Sequence, residues 1–279
     1  MLSQKAEVQN FDQALTACLK ALSDPLAPVR PALTETLRAS FSNLGRALGT
    51  DASKIKPLIC TAIMGSDTRQ TQSAMQTAAA DADLLELRLD ALKKIELEKL
   101  LPFPVKPVIV TIRKKEEGGH FQGPEPERLA YLQAAIDLGA DYIDLEYGIP
   151  EPLRADLIDR KKTTGVILSY HDTQATPALK DLLGFWRGMT RIQADYYKIV
   201  TTGQSLDDNL TLLHFLKEVT SPGPKIICHA MGPAGLVSRV LAPFFGSQIV
   251  YTAPLGGNRT APGQLETGQM KQLWDILRS

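Results

Sequence analysis

The residue with the clearest chemical potential is a lysine inside an apolar, strand-like segment. Lys198 lies in the run Tyr196–Val200, which the sequence predicts to be a buried strand. Burial disfavours the charged ammonium, and a neutral amine can attack a carbonyl group to form a Schiff base. A lysine at a strand end can instead extend its aliphatic stem toward water. On its own, Lys198 leaves both interpretations open.

A histidine at the end of a second apolar run is the partner that such a nucleophile needs. His171 follows the predicted strand Gly165–Ser169. An imidazole exchanges protons near neutral pH, although a lone histidine after a strand is more often an ordinary polar residue. An amine and an imidazole at one site would give an enzyme that forms an imine and moves a proton.

The strands that would position these side chains recur along the chain from residue 58 onward. Most are continuous apolar runs, which is typical of parallel strands that are covered on both faces. The eight runs are Leu58–Ile63, Leu84–Leu89, Pro107–Ile112, Tyr142–Glu146, Gly165–Ser169, Tyr196–Val200, Lys225–Cys228 and Gln248–Thr252.

Helical patterns occupy the gaps between these strands. They cover Arg69–Ala82 after the capping segment Ser66-Asp67-Thr68, Glu127–Leu138, Ala178–Gln193 after Thr176-Pro177, the segment from Ser205 to Val219, and Leu265–Leu277. Repeated strand–helix alternation predicts a (β/α)8 TIM barrel. A doubly wound open sheet is the alternative, but Met64-Gly65-Ser66-Asp67 after the first strand is no glycine-rich phosphate loop.

The first part of the chain does not share this alternation. Phe11–Ala21 and Pro31–Leu48 show apolar residues on one face at helical spacing. We therefore expect a helical N-terminal extension over residues 1–54 and a barrel catalytic domain over residues 55–279. The two helices are predicted to dock on the barrel or on a subunit interface without taking part in the chemistry.

Composition excludes several classes of protein. The 31 basic and 31 acidic residues balance, which disfavours a nucleic-acid or membrane partner. No apolar run approaches the roughly 20 residues of a membrane helix, and the N-terminus lacks a secretory pattern. The three cysteines and four histidines form no cluster, so we expect neither a metal nor a cofactor. We expect a homodimer that acts on a small molecule. Its expected location is the cytoplasm, with a plastid as the alternative.

Polar residues stand where most of the predicted strands end. In a TIM barrel the carboxyl ends of all strands meet at one rim, which is where active sites form. The residues are Glu86, Arg88, Asp90, Thr111, Arg113, Asp144, Glu146, Ser169, His171, Lys198, His229 and Met231. Arginine donors and carboxylate acceptors suit a small polar ligand, although any one of these charges could serve a structural salt bridge.

The segment after the last strand has the composition of a lid. Residues 254–264 combine two adjacent glycines, two prolines and polar side chains. Such a loop at the active rim can close over a ligand, and an ordinary long loop is the alternative.

Ordered motifs across most of the chain resemble one enzyme family. They are Ile59-Cys60-Thr61-Ala62-Ile63-Met64-Gly65, Glu86-Leu87-Arg88-Leu89-Asp90, Thr111-Ile112-Arg113 with Glu117-Gly118-Gly119, Tyr142-Ile143-Asp144-Leu145-Glu146, Ser169-Tyr170-His171-Asp172, Tyr197-Lys198-Ile199, Met231-Gly232 with Val237-Ser238-Arg239, Phe245-Gly246 and Ala261-Pro262-Gly263-Gln264. Each motif alone is unspecific, but the ordered set resembles the type I 3-dehydroquinate dehydratases. This Schiff-base class of the shikimate pathway eliminates water from 3-dehydroquinate to give 3-dehydroshikimate.

The resemblance implies a role for each residue of the reaction centre. Lys198 would form the imine with the substrate ketone. His171 would remove the proton and help the hydroxyl to leave, and Glu117 would orient this histidine. Arg239 would bind the substrate carboxylate.

The same resemblance implies how the rest of the substrate is held. Glu86, Arg88 and Arg113 would bind the ring hydroxyls. Thr260 and Gln264 would close over the bound molecule from the lid. The pocket walls would be completed by Met231 and Tyr251.

Two other functions stay open on sequence alone. Another lysine-dependent lyase, such as an aldolase, would use the same imine chemistry. A non-catalytic sensor of shikimate-pathway metabolites would keep the fold, but the presence of Lys198, His171 and Glu117 together favours an enzyme.

Overall fold

The predicted (β/α)8 barrel is confirmed. A computed structural model describes residues 54–103, 106–220, 223–257, 260–261 and 263–278. Within them, eight parallel strands alternate with helices. Residues 1–53 lie outside the described residues, so the helical extension and its boundary with the barrel stay predictions.

The strands follow one another around the barrel in chain order. They are β1 (Leu58–Ile63), β2 (Leu84–Arg88), β3 (Val108–Thr111), β4 (Tyr142–Glu146), β5 (Gly165–His171), β6 (Tyr196–Thr202), β7 (Ile226–Met231) and β8 (Ile249–Thr252). From β1 to β7 each strand pairs in parallel with the next, and β8 pairs in parallel with β1. Between β7 and β8 the backbone N–H of Gln248 donates to the carbonyl of Ile226 at 2.9 Å, which brings the barrel close to closure.

The helices lie between successive strands and after the last one. In the described residues they are α1 (Thr68–Ala79), α2 (Leu97–Leu100), α3 (Glu125–Asp137), α4 (Glu151–Asp159), α5 (Leu179–Met189), α6 (Leu206–Val219), α7 (Leu236–Leu241) and α8 (Thr267–Arg278). Among these helices, none has the length and apolarity needed to cross a lipid bilayer.

Helix caps agree with the sequence at two positions and differ at a third. Asp67 accepts a hydrogen bond from the Gln70 N–H at 2.9 Å and begins α1, and Ser205 begins α6 with a capping box. The threonine–proline pair ahead of α5 favours a helix capped by Thr176, but the hydroxyl of Thr176 bonds the Thr201 hydroxyl at 2.7 Å instead. The helix begins two residues beyond Pro177, after Ala178.

Packing outside the barrel fixes the direction of Lys198. Its neighbour Tyr197 points toward the helices, where its ring lies 5.5 Å from that of Trp186 in α5, and its hydroxyl donates to the Ile192 carbonyl at 2.7 Å. The Trp186 ring also meets Phe215 of α6 at 6.2 Å. Successive side chains of a strand point to opposite faces, so Lys198 is directed into the barrel.

The barrel interior is layered with a period of two residues. Its floor is apolar and consists of Cys60, Leu84, Ile109, Ile167, Tyr196, Ile227, Ile249 and Tyr251. Two residues farther along most strands comes a buried polar layer, made of Glu86, Thr111, Asp144, Ser169, Lys198 and His229. Along each strand, alternate side chains point outward to the helices and inward to the barrel. The inward positions therefore stack as an apolar floor with a polar layer above it.

Candidate active site

Lys198 is held at the centre of the polar layer by two carboxylates. Its Nζ lies 3.2 Å from Oε1 of Glu86 and 3.1 Å from Oδ2 of Asp144. The Tyr251 ring lies beneath it, with its centroid 4.1 Å from Nζ. The sequence argument provided no partner for this buried charge, and the structure provides two carboxylates and an aromatic face.

Arg113 joins this lysine to the barrel rim. Its guanidinium lies 2.7 Å from Asp144 and 3.1 Å from Glu146, and it donates to the Ser169 hydroxyl at 2.9 Å. Burial acts to lower the pKa of Arg113, but the charges of Asp144, Glu146 and Glu117 more than offset it and raise this pKa. Burial likewise acts to raise the pKa of Asp144, yet the neighbouring cations, first Arg113, hold it well below its usual range.

His171 and Glu117 form a proton-sharing pair at the rim. The imidazole Nδ1 lies 3.0 Å from Oε2 of Glu117. Burial raises the pKa of Glu117 to about 8; the nearby Arg113 charge opposes this shift, and the carboxylates of Glu146 and Asp144 add to it. Burial, together with the charges of Arg113 and Lys198, lowers the pKa of His171 well below its usual value. The pair can therefore change its protonation near neutral pH.

The loop that carries Glu117 depends on two glycines. Lys115–Glu117 form a short 3-10 turn, and Gly118 ends it with φ of 81°, a conformation that favours glycine. A Cβ on Gly119 would lie 2.0 Å from the carbonyl oxygen of Arg113. This close approach folds the loop back onto β3 and brings Glu117 beside His171.

Arg88 and Glu86 form the opposite wall on β2. Arg88 donates to both oxygens of Asp90, at 2.9 and 2.7 Å. Glu86 accepts a hydrogen bond from Thr111 at 3.0 Å in addition to its contact with Lys198. Both residues are held by neighbours while they line the cavity.

Arg239, on α7, is a buried cation that has no acidic partner among the described residues. It is 2% exposed, and within the described residues its Nε and NH2 atoms have no hydrogen-bond acceptor. Burial lowers its pKa to about 10. A buried guanidinium with open donors is suited to a carboxylate brought by a ligand.

The last loop covers the cavity from the side of β8. The backbone N–H and the hydroxyl of Thr260 both donate to Oε1 of Gln264, at 3.0 and 3.1 Å. Gly263 has φ of 75°, and a Cβ there would lie 2.2 Å from the carbonyl oxygen of Gly232. This contact seats the predicted lid against the loop after β7.

Every residue to which the resemblance assigns a role borders one cavity, whose empty space of about 480 Å³ includes its opening to solvent at the rim. Asp90, Asp144, Glu146 and Ser169, also expected at the rim, support the lining residues from behind and do not border the cavity. Its lining is Glu86, Arg88, Thr111, Arg113, Glu117, Gly118, His171, Lys198, Val200, His229, Met231, Arg239, Tyr251, Thr260, Ala261 and Gln264. From the sequence, His229 is only a polar residue near a strand end, and neither its position nor the family resemblance assigns it a role. In the described part of the chain, no group of three or more histidines, cysteines and acids is arranged to hold a metal ion.

Comparison with known proteins identifies the family. The sequence model of the type I 3-dehydroquinases matches residues 59–279. The chain belongs to the type I 3-dehydroquinase family. Membership of this family makes it an enzyme of the hydro-lyase class, in agreement with the resemblance noted in the sequence.

Individual members of the type I 3-dehydroquinase family are similar over most of their length. The 3-dehydroquinate dehydratase of Dehalococcoides mccartyi is 35% identical over 221 residues, which cover 79% of this chain and 96% of that protein. That of Methanocaldococcus jannaschii is 30% identical over 224 residues, covering 79% and 99%. The crystal structure of the Geobacillus kaustophilus enzyme has a TM-score of 0.74 at 28% identity, covering 80% of this chain and 91% of that one.

Proposed function

We propose that this protein is a 3-dehydroquinate dehydratase that works through a Lys198 imine. The observation that carries the proposal is the meeting of three groups at one cavity: the Lys198 amine, the His171–Glu117 pair and the unpaired Arg239 cation. Family membership and the two similar dehydratases support the reaction.

The imine step uses the contacts of Lys198. The amine adds to the substrate ketone while its excess proton passes to Glu86, whose Oε1 lies 3.2 Å from Nζ. Loss of the carbonyl oxygen as water gives a protonated imine. This cation withdraws electrons from the neighbouring carbon and so acidifies its C–H bond.

The elimination step uses His171. Its Nε2 removes the proton from the carbon beside the imine, and the electron pair forms an enamine. The enamine then expels the hydroxyl from the next carbon, with His171 returning the proton so that the hydroxyl leaves as water. Hydrolysis of the remaining imine restores Lys198 and releases 3-dehydroshikimate. When Glu117 is ionised it accepts from Nδ1 and leaves Nε2 free to act as the base.

The rest of the cavity orients the cyclic acid. Arg239 binds the carboxylate, and Glu86, Arg88 and Arg113 on the facing wall bind the ring hydroxyls. The lid residues Thr260 and Gln264 cover the ring. Met231 and Tyr251 complete the walls.

Borohydride trapping tests this mechanism directly. Incubating the protein with 3-dehydroquinate and borohydride should leave a reduced adduct that peptide mass spectrometry places on Lys198. The Lys198→Ala variant should form no adduct and lose dehydration by about a thousandfold or more. Lys115→Ala, at an exposed lysine of the same rim, is the matched control and should behave as the wild type.

The same assay separates the alternatives. A sensor would bind 3-dehydroquinate without producing the conjugated ketone, whose ultraviolet absorbance follows the reaction. An aldolase-type lyase would likewise form no conjugated ketone from 3-dehydroquinate, and it would instead cleave a carbon–carbon bond of a sugar phosphate. Substantial dehydration by Lys198→Ala would rule out the covalent mechanism while leaving the reaction itself in place.

A further inference from the structure

His229 is a buried cavity residue without a role in the reaction described above. It is 6% exposed, lies on β7 opposite Val200 of β6, and follows the floor residue Ile227 by two positions. Its imidazole belongs to the same polar layer as Lys198 and borders the same cavity. A titratable ring that is buried at this depth normally has a hydrogen-bond partner.

Within the described residues, the contacts of this imidazole include no hydrogen bond and no ion pair. Its nearest aromatic neighbour is Tyr251, whose ring centroid is 6.1 Å away. Burial, with the charges of Arg239 and Lys198, lowers the pKa of His229 well below its usual value. The ring is therefore neutral at physiological pH and has one N–H donor and one nitrogen acceptor available.

The position of His229 in the barrel indicates which part of a ligand it meets. Arg239 follows β7 on α7, so the two residues share one wall of the cavity. Glu86, Arg88 and Arg113 come from β2 and β3, on the far side of the ring of strands. A ligand whose carboxylate is bound by Arg239 brings the atoms next to that carboxylate to the wall that also carries His229.

We infer that His229 is a specificity-determining residue that hydrogen bonds the hydroxyl on the carbon bearing the substrate carboxylate. With Arg239 it forms a subsite for an α-hydroxy carboxylate, the guanidinium taking the carboxylate and the neutral imidazole taking the hydroxyl. The inference rests on the proposed function, because 3-dehydroquinate carries its carboxylate and this tertiary hydroxyl on the same carbon. The contact is a hydrogen bond and transfers no proton.

This subsite distinguishes substrate from product. The hydroxyl that His229 contacts is the group that leaves, and 3-dehydroshikimate lacks it. A buried site built to bond a hydroxyl loses affinity for an analogue without one, since its own polar group is left unpaired. The hydrogen bond therefore contributes to substrate binding and is absent when the product departs.

Two ligands without a ketone test this inference on the intact protein. Quinate carries the α-hydroxyl and shikimate lacks it, and neither can form an imine, so calorimetric titration reports reversible binding alone. In His229→Leu, which removes both ring nitrogens, the affinity for quinate should fall about tenfold, the effect of one buried hydrogen bond. The affinity for shikimate should change by less than about twofold, since it makes no such bond.

Conservative variants control for packing. His229→Gln retains a donor and an acceptor and should keep most of the affinity for quinate. His229→Met is a second apolar variant for use if the leucine protein does not fold. Equal losses for quinate and shikimate would assign His229 a purely structural role and overturn the inference, as would unchanged binding of quinate.

The dehydration assay separates this inference from the function on which it rests. If the wild type dehydrates 3-dehydroquinate but the apolar variants show no selective loss of quinate, the inference fails and the proposed function stands. If the wild type does not dehydrate 3-dehydroquinate, the proposed function fails and the inference fails with it. The expected result is turnover by the wild type together with the selective loss.

Discussion

Nζ of Lys198 lies 3.1 Å from Oδ2 of Asp144, a carboxylate that Arg113 contacts through its other oxygen at 2.7 Å. One buried acid thus fixes both the proposed nucleophile and a cation of the rim. Because Asp144 also accepts from the Ser169 hydroxyl at 2.5 Å, its two oxygens are both engaged. The position of the amine is therefore set by a network that spans strands β4, β5, β6 and the end of β3.

Replacing Asp144 by asparagine keeps the shape of the side chain and removes its charge. Lys198 and Arg113 would lose a shared counter-ion, so we expect the free energy of unfolding to fall by about 3–5 kcal/mol at neutral pH. The pKa of Asp144 is depressed in the fold, so its contribution is present above the unfolded value and is lost as pH falls below about 4. Urea titrations should show the difference between the two proteins narrowing in acid, and a difference independent of pH would contradict this account.

The His171–Glu117 pair predicts a pH profile. Below about pH 8 the protonated Glu117 donates to Nδ1, so Nε2 carries the ring proton and cannot act as a base. As pH rises through about 8, ionised Glu117 accepts from Nδ1 and frees Nε2, so kcat/KM should increase and then level off.

Glu117→Gln tests the origin of that inflection. The amide oxygen accepts from Nδ1 at any pH, so the inflection should move to lower pH, where the depressed pKa of His171 governs it. Glu116→Gln, at an exposed neighbouring acid, should keep the profile of the wild type. An inflection near pH 8 that persists in Glu117→Gln would assign it to another group.

Arg239 predicts opposite effects on stability and binding. Burial depresses the pKa of Arg239 to about 10, which means that folding disfavours the charged guanidinium. Arg239→Met should therefore raise the melting temperature of the ligand-free protein and weaken carboxylate binding by about 1.5–3 kcal/mol. Thermal unfolding with and without quinate measures both effects. Arg239→Lys keeps a charge but loses the forked geometry, and it should fall between the two proteins.

We expect Arg128 to position Arg113 through Glu146. The Arg128 side chain is fully buried and contacts Glu146 at 3.1 Å, Glu125 at 2.6 Å and the Ile112 carbonyl at 2.9 Å. Glu146 meets Arg113 on its other side. Arg128→Met should leave Oε2 of Glu146 without its buried cationic partner, while Arg113 still contacts Oε1, and should cost about 3 kcal/mol of stability.

A purely structural Arg128 would change stability alone. We expect Arg128→Lys to recover much of the stability. Both variants should nevertheless raise KM for 3-dehydroquinate, because Glu146 would be less firmly fixed and would no longer hold Arg113 in place. A Met variant with reduced stability and unaltered KM would show that the contact does not reach the substrate site.

The residues that line the cavity could be predicted from the sequence because barrel topology determines where strand ends meet. Parallel strands with a shared rim and a two-residue period bring Glu86, His171 and Lys198 together without any knowledge of distances. The strand bounds predicted for β1 and β4 agree with the structure, since turn residues limit both runs.

Other features depended on packing that sequence patterns do not encode. The partners of Lys198 come from β2 and β4, strands that do not adjoin β6, so only the packed interior reveals them. Helix α4 was missed because a single residue, Leu157, is buried among its described positions, which leaves no apolar stripe to detect. Only the packed structure shows that the His229 imidazole has no hydrogen bond within the described residues.

The two-residue layering of the interior makes catalytic activity a test of correct folding. A slip of one residue in any inner strand would turn its polar-layer side chain toward the helices and its outward apolar side chain into the cavity. Such a chain would bury a charge such as that of Lys198 among residues like Trp186 and Phe215, and it would lose the ion pairs that stabilise the rim. Misregistered molecules would therefore be inactive and unstable together, so specific activity measures the natively folded fraction of a preparation.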